Sequence, residues 1–373
     1  MEDLRIVRRP GRTLVRPGRF LFWLLAGVLS TTDLPAQVSE LKKDERVILF
    51  PTIGRRIPGQ SAWALEIHGC VYELENRRAA LGALRRALEL KDVKMTAAQR
   101  ATFAERARLF MVDNERGNNI VIGVGERLFP AGRSGPDGHF SAVVKLFERD
   151  MPRQADGTVE IRAILPHEDA RRFTGRVTLF DDTGLTVISD IDDTIKLTEV
   201  TSREAMLRNT FLEPFLPIPG MPAFYRQLAE NPAASFYYVS ASPWQLVLPL
   251  SDFIRSNGFP AGALSLRKFR WKDESFFNLF SDAGRYKREV LEPLFQRFPH
   301  RNFLLIGDSG EQDPEVYAEL AQEFPGRVKA ILIRDVKGET LNSPRYRGLR
   351  LPEGCRLLVF REPSEIVDLA RFF

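Results

Sequence analysis

Residues 185–196, Leu-Thr-Val-Ile-Ser-Asp-Ile-Asp-Asp-Thr-Ile-Lys, limit the possible folds more than any other stretch of the chain. Val187 and Ile188 belong to a short apolar, β-branched run that reads as a buried strand. That run leads straight into Asp190, Asp192 and Asp193. Carboxylates at the end of a buried strand are costly unless something positive meets them. The carboxyl ends of parallel strands are also where α/β proteins place their sites. Asp190 and Asp192 are therefore candidates for metal ligand, nucleophile or acid/base. Taken alone, the segment has a second, weaker reading as an Asx-rich turn. A calcium loop fits less well, because Ile195 and Thr201 stand where such a loop needs Gly and Glu.

After residue 185 the pattern alternates between strand and helix. Strands are expected over residues 236–239, 264–266, 303–306, 328–333 and 356–360, with helices over 243–257, 285–298, 314–324 and 363–371. A further helix starts at Gly220 with Pro222 in its first turn. Asp313 is the expected N-cap of the helix over 314–324. Residues 197–219 are too long for a simple turn and read as a flap over the strand ends. Such alternation implies an α/β domain with a parallel sheet and helices on both faces.

That topology gathers four features on one sheet edge: Asp190-x-Asp192-x-Thr194, Ser240, Lys287 and Gly307-Asp308-Ser309-Gly310-x-x-Asp313. Each has an ordinary reading alone, as a turn, a strand-end Ser or a solvated Lys. Convergence at the carboxyl ends of neighbouring strands gives them a joint one. Two or three carboxylates make a hard-oxygen site suited to Mg²⁺. Ser240 and Lys287 can donate to phosphate oxygens, and Lys287 can neutralise developing negative charge.

The chain has 373 residues, which suggests two or three domains. Residues 44–180 read as a mostly β, sandwich-like domain, with strands over 46–50, 62–72, 119–124, 140–146, 159–164 and 175–179. Between residues 75 and 113 the apolar period changes to three and four, as on two amphipathic helices inserted into the sheet. His68, His139 and His167 lie far apart in the sequence and read as structural. Residues 1–36 hold six Arg and three acids, and so carry +3 of the net +5. The remainder is nearly neutral, without the concentrated basic surface of a nucleic-acid binder. The Arg-rich start precedes an apolar run over residues 20–29, the order of a signal peptide. Ten apolar residues are too few for a standard transmembrane helix, so an exported protein or one anchored by its N-terminus is expected. Cys70 and Cys355 stand alone, with no CxxC and no His cluster, which argues against zinc.

The ordered motifs resemble those of the haloacid dehalogenase superfamily of aspartate-nucleophile phosphatases: Asp-x-Asp-x-Thr after a hydrophobic strand, a strand-end Ser, a Lys and a later acidic loop. More narrowly, residues 189–196, Ser242-Pro-Trp244, Asn257-Gly-Phe-Pro-Ala-Gly262, Ile306-Gly-Asp-Ser-Gly310, Asp313-Pro-Glu-Val-Tyr317 and Ile333-Arg-Asp-Val336 resemble the actin-patch type of phosphatidate phosphatase. The resemblance departs at Ala241 and at Arg267-Lys268, away from the nucleophile and metal positions.

The resemblance implies a Rossmann-like haloacid dehalogenase fold over residues 185–373. It implies Asp190 as nucleophile and Asp192 as acid/base. It also implies a Mg²⁺ site from Asp190, Asp308 and the backbone carbonyl of Asp192. Thr194, Ser240 and Lys287 would surround the transferring phosphoryl group, with Thr194 also tying the loop together. The implied substrate is phosphatidic acid, taken at a membrane surface. The basic-aromatic run 267–272 and the apolar residues Phe276, Phe277, Leu279 and Phe280 suit an interfacial contact. A phosphatase of soluble phosphomonoesters, or a non-catalytic lipid-phosphate-binding or scaffold protein on the same fold, are the alternatives.

Overall fold

The structure, a computed structural model, describes residues 38–74, 78–268 and 283–367. The expected export segment, the apolar residues 276–280 and most of the run 267–272 lie outside the described residues.

The first part of the chain forms a nine-stranded, mostly antiparallel sheet folded around one core. Its strands are β1 (Glu45–Leu49), β2 (Thr52–Arg56), β3 (Ala62–Leu74), β4 (Val112–Asn114), β5 (Asn119–Val124), β6 (Arg127–Arg133), β7 (His139–Phe147), β8 (Thr158–Ala163) and β9 (Thr174–Phe180). The long strand β3 pairs with β1 and β2, and also with β4 and β7. Helices α1 (Arg78–Ala87) and α2 (Ala97–Ala107) form the insert between β3 and β4. A capping box between Thr96 and Gln99 starts α2.

Three of these strands are not expected from the sequence. β2 carries Gly54 and two Arg, which break the alternation. β4 has only three residues. β6 contains Pro130, which cannot donate to a ladder, and it survives because β6 pairs only with β5 at a sheet edge.

The second part is an all-parallel, six-stranded sheet in the order β12-β11-β10-β13-β14-β15. The strands are β10 (Thr183–Asp190), β11 (Ala234–Pro243), β12 (Gly262–Arg267), β13 (His300–Asp308), β14 (Val328–Arg334) and β15 (Arg356–Phe360). Along β10, Leu185 and Val187 enter one apolar core, while Ile188 enters the core on the opposite face. Helices cover both faces: α3 (Arg203–Phe211), α4 (Met221–Ala229), α5 (Val247–Ser256), α6 (Ala283–Arg297) and α7 (Asp313–Glu323), with the short α8 (Pro344–Arg347) near the end. From β10 the chain moves outward through β11 to β12, then returns to place β13 on the other side of β10. Strand order therefore reverses at the β10/β13 pair, the crevice where open α/β sheets hold their ligands.

Four expectations need correction. The flap over residues 197–219 contains helix α3, opened by Ser202, whose hydroxyl accepts from Ala205 N at 3.3 Å. Strand β11 does not stop at Ser240 but continues through a bulge to Pro243. Asp313 is not an N-cap; it is the first residue of α7, and its carboxylate is turned elsewhere. Of the helix expected over 363–371, the described part is a 3₁₀ turn, Pro363–Glu365.

Only Asp181 and Asp182 separate β9 from β10. The two sheets share their cores: Phe50, Cys70 and Tyr72 pack with Trp244 on one face, and Ile53 and Phe180 pack with Phe298 on the other. The fully buried Arg301 reinforces the junction, donating to the carbonyls of Asp181 at 2.9 Å and Leu185 at 2.6 Å.

Candidate active site

Asp190 is the last residue of β10, and Asp308 is the last residue of β13. Because Ser189 pairs with Ile306, these two carboxylates come together at the crevice. Lys287, one turn into α6, reaches the same point, with its Nζ 2.8 Å from Asp190 Oδ1. Thr194 donates to Asp190 Oδ2 at 2.9 Å, so both oxygens of Asp190 are held. Lys287 also meets Asp313 and, at 3.0 Å, Glu311. Gly307 permits this packing, because a Cβ there would overlap the Asp313 carboxylate.

Carboxylate oxygens of Asp190, Asp308 and Asp313 lie within 4.8 Å of one another, and all three residues are buried. With Glu311 there are four acids to one Lys. Burial, reinforced by the neighbouring acids, pushes Asp190 and Asp308 well above the usual carboxylate range. Burial alone would lower Lys287, but Asp190 and Asp313 outweigh it and hold the ammonium charged. Asp308 Oδ1 accepts from Gly310 N at 2.5 Å, whereas its buried Oδ2 has no hydrogen-bond partner among the described residues. An orphaned carboxylate oxygen inside a cluster with excess negative charge, built from hard oxygen donors, fits a divalent cation.

Asp192 occupies a separate pocket. Its Oδ1 lies 2.9 Å from Lys196 Nζ and accepts from Thr198 at 2.8 Å. Its Oδ2 accepts from Ser240 at 2.7 Å and Ser242 at 3.1 Å. Burial alone would raise this carboxyl, but Lys196 and the hydroxyl donors outweigh it and hold it at about 2. The Asp192 side chain is thus an engaged carboxylate outside the acidic triad, and the Ser240 hydroxyl is turned to Asp192.

Asp193 organises the loop. It adopts a left-handed φ of 55°, uncommon for a residue with a side chain. Its carboxylate accepts from the amides of Thr198 and Glu199, both at 2.8 Å, and of Val200 at 2.6 Å. Arg334, at the end of β14, donates to its carbonyl at 2.7 Å. The tight fold this imposes carries Lys196 and Thr198 back over Asp192.

Lys196, Thr198, Ser242 and Glu311 are not singled out by the sequence pattern. For Lys196 the available signal is a Lys inside an otherwise apolar and acidic loop. For Ser242 it is the two-residue spacing from Ser240, which a strand extended past Ser240 would have placed on the same side.

Residues 185–335 match the family model described as phosphatidate phosphatase APP1, catalytic domain. The chain is 35% identical over 127 residues to phosphatidate phosphatase APP1 of Saccharomyces cerevisiae, a match covering 33% of this chain and 21% of that protein. It is also 35% identical over 209 residues to an uncharacterized protein of Schizosaccharomyces pombe, covering 54% of this chain and 34% of that protein. The chain thus spans about a fifth and a third of these relatives' lengths. Among solved structures, a haloacid dehalogenase-like hydrolase from Burkholderia xenovorans aligns with 51% of this chain and 99% of its own, at 10% identity and a TM-score of 0.31.

Proposed function

We propose, on the premise that residues 185–335 are a haloacid dehalogenase-type catalytic domain of the phosphatidate phosphatase kind, that this protein hydrolyses phosphatidic acid to diacylglycerol and phosphate. The observation that carries the reading is Asp190 at the central strand end, both oxygens oriented, between Lys287 and an Asp308 oxygen without a hydrogen-bond partner among the described residues. A bound Mg²⁺, held by Asp190 and Asp308 with Asp313 nearby, would neutralise charge on the phosphoryl oxygens and keep Asp190 ionised.

The chain's own residues then divide the work. Asp190 attacks phosphorus in line, giving an aspartyl phosphate and releasing the diacylglycerol oxygen. Lys287 and Ser240 hold phosphoryl oxygens, where positioning and charge neutralisation dominate catalysis. Asp192 protonates the leaving oxygen and then takes a proton from the water that clears the intermediate. Held by Lys196, Thr198, Ser240 and Ser242, Asp192 is too well stabilised as the anion to act as an acid. An incoming phosphate dianion draws Ser240 away and places negative charge beside Asp192, and both changes favour its protonated form.

The Arg-rich and then apolar order of residues 1–36 supports export or N-terminal anchoring, which would bring the enzyme to a phospholipid surface. No helix among the described residues is long and apolar enough to cross a membrane.

The test is phosphate release by the purified protein from phosphatidate in mixed micelles, with Mg²⁺ or with EDTA, beside p-nitrophenyl phosphate. Mg²⁺-dependent release from phosphatidate that vanishes in Asp190→Asn is expected. Release from the soluble ester alone would favour a phosphatase of soluble monoesters, and no release from either would favour a binding protein.

A further inference from the structure

A cavity of about 420 Å³ lies where the two sheets meet. Phe50, His68 and His139 of the first domain, with Trp244 packed against Phe50 and His139, form one side, and Leu266, Arg267, Lys268 and Tyr286 line the rest. We propose that this cavity receives the glycerol-ester part of the lipid, next to the reacting phosphate, so that the first domain forms part of the specificity site. The inference rests on the phosphatidate reading above.

Position is the first argument. The cavity lies at the carboxyl end of β12, on the same sheet edge as Asp190 and two strands away, about 10 Å at the usual strand spacing. Trp244 follows Ser242 by two residues, roughly 7 Å of extended chain, and the Ser242 hydroxyl lies 3.1 Å from Asp192 Oδ2. In phosphatidate the two ester groups sit one and two carbons along the glycerol from the carbon that carries the phosphate, so they fall within this reach.

Chemistry is the second. Phe50 stacks on His68 at 4.4 Å and meets Trp244 edge-on at 6.0 Å, giving flat walls suited to methylenes. Arg267 and Lys268 line the cavity at the end of β12, and the polar groups on its aromatic side are neutral donors. His68 Nε2 and His139 Nδ1 lie 3.0 Å apart, so one ring donates to the other. Burial, helped by His139 and Lys268, pushes His68 down to about 3, which keeps that ring uncharged. Tyr286 and Ser265 share a hydroxyl pair at 3.0 Å. Glu289 on the rim is paired with Arg285 at 2.9 Å. Neutral donors among aromatic walls suit ester carbonyls and the first methylenes.

Rigidity is the third. Leu264 N donates to Pro51 O at 3.1 Å across the junction, and Arg297 pairs with Glu66. The two walls are therefore fixed relative to each other before any lipid binds, which lowers the ordering cost of binding.

The experiment measures, in the full chain, kcat/KM for phosphatidate in mixed micelles and for p-nitrophenyl phosphate, which lacks glycerol and acyl groups. Leu266→Trp fills the cavity and His68→Ala removes a donor and one wall. The ratio of the two kcat/KM values cancels any loss of folded enzyme. It should fall by about tenfold in Leu266→Trp, the scale of a mis-shaped hydrophobic subsite, and in the same direction in His68→Ala. A ratio within twofold of wild type in both variants would overturn the subsite while leaving the phosphatase reading intact. A wild-type protein that cleaves p-nitrophenyl phosphate but not phosphatidate would overturn both.

Discussion

Lys287 Nζ lies 2.8 Å from Asp190 Oδ1, and both side chains are buried from solvent. The same ammonium serves Asp313 and Glu311, so one cation is the described side-chain counter-charge for three carboxylates. Removing it leaves buried charge unpaired, which typically costs about 3–5 kcal/mol. Lys287→Met should lower the unfolding free energy of the metal-free protein by that order, read from urea denaturation. A loss under about 1 kcal/mol, the value of a surface pair, would show that the cluster sheds its charge in another way.

Asp190→Asn keeps the shape of the side chain and its place between Thr194 and Lys287, but removes the proposed nucleophile. Turnover should fall by at least about three orders of magnitude, as when other covalent nucleophiles are removed. The circular dichroism spectrum should be unchanged. Residual activity within tenfold of wild type would exclude an aspartyl phosphate on this residue.

Asp190 and Asp308 predict an unusual pH dependence for the metal-free protein. Both are raised, by burial first and by neighbouring acids second. A carboxyl whose folded pKa lies above its unfolded value binds more protons in the folded state, so stability falls as pH rises above about 4. Thermal melting in EDTA should show that decline. Mg²⁺ should reverse it, by about 2.7 kcal/mol at a hundredfold excess over its dissociation constant. In Asp308→Asn the Mg²⁺-induced rise should shrink, while the metal-free protein melts no lower than wild type. Equal Mg²⁺ responses in the two proteins would remove Asp308 from the metal site.

Gly307 tests the packing of the acidic loop. A methyl group there would overlap the Asp313 carboxylate, whose Oδ2 accepts from Asp308 N at 3.2 Å. Gly307→Ala should cost about 1–3 kcal/mol, the usual range for overpacking. Activity should fall too, because Asp308 and Asp313 move together. Wild-type melting and activity would mean that the loop yields without penalty.

The parts of this site that were legible in the sequence are those fixed by topology. Asp190, Lys287 and Asp308 lie at the ends of separate elements, and a parallel sheet brings such ends together whatever the loops do. The parts that were not legible depend on local backbone. Ser242 reaches Asp192 because β11 runs on past Ser240 through a bulge, whereas the apolar run that marks this strand in the sequence stops at Val239. Lys196 reaches Asp192 only because Asp193 turns the chain through a left-handed φ, a conformation usually left to Gly. Asp313 was expected to cap its helix, but the Lys287 ammonium is the stronger partner for its carboxylate. Helix α3 was concealed because it buries only Met206, Leu207, Thr210 and Phe211 and shows little amphipathic contrast.

Lys196 and Asp192 give the last prediction. Burial alone would raise Asp192, but Lys196 and the hydroxyls of Ser240 and Thr198 hold it at about 2, below the usual 3.8. A depressed carboxyl stabilises the folded state above its unfolded pKa, and that contribution is lost as pH falls through the folded value. The window therefore runs from about pH 4 down to about pH 2, and a shift of this size corresponds to about 2 kcal/mol. In Lys196→Met the strongest lowering influence is gone and burial prevails, so Asp192 contributes nothing or opposes folding. The gap in unfolding free energy between wild type and Lys196→Met should be widest at pH 5 and narrow steadily as the pH is lowered through that window. The difference between the two curves cancels the other carboxylates, which titrate alike in both proteins. A gap that stays constant with pH would mean that Lys196 stabilises the loop by packing alone, over the Phe215 ring 4.8 Å away, and not by holding Asp192 ionised.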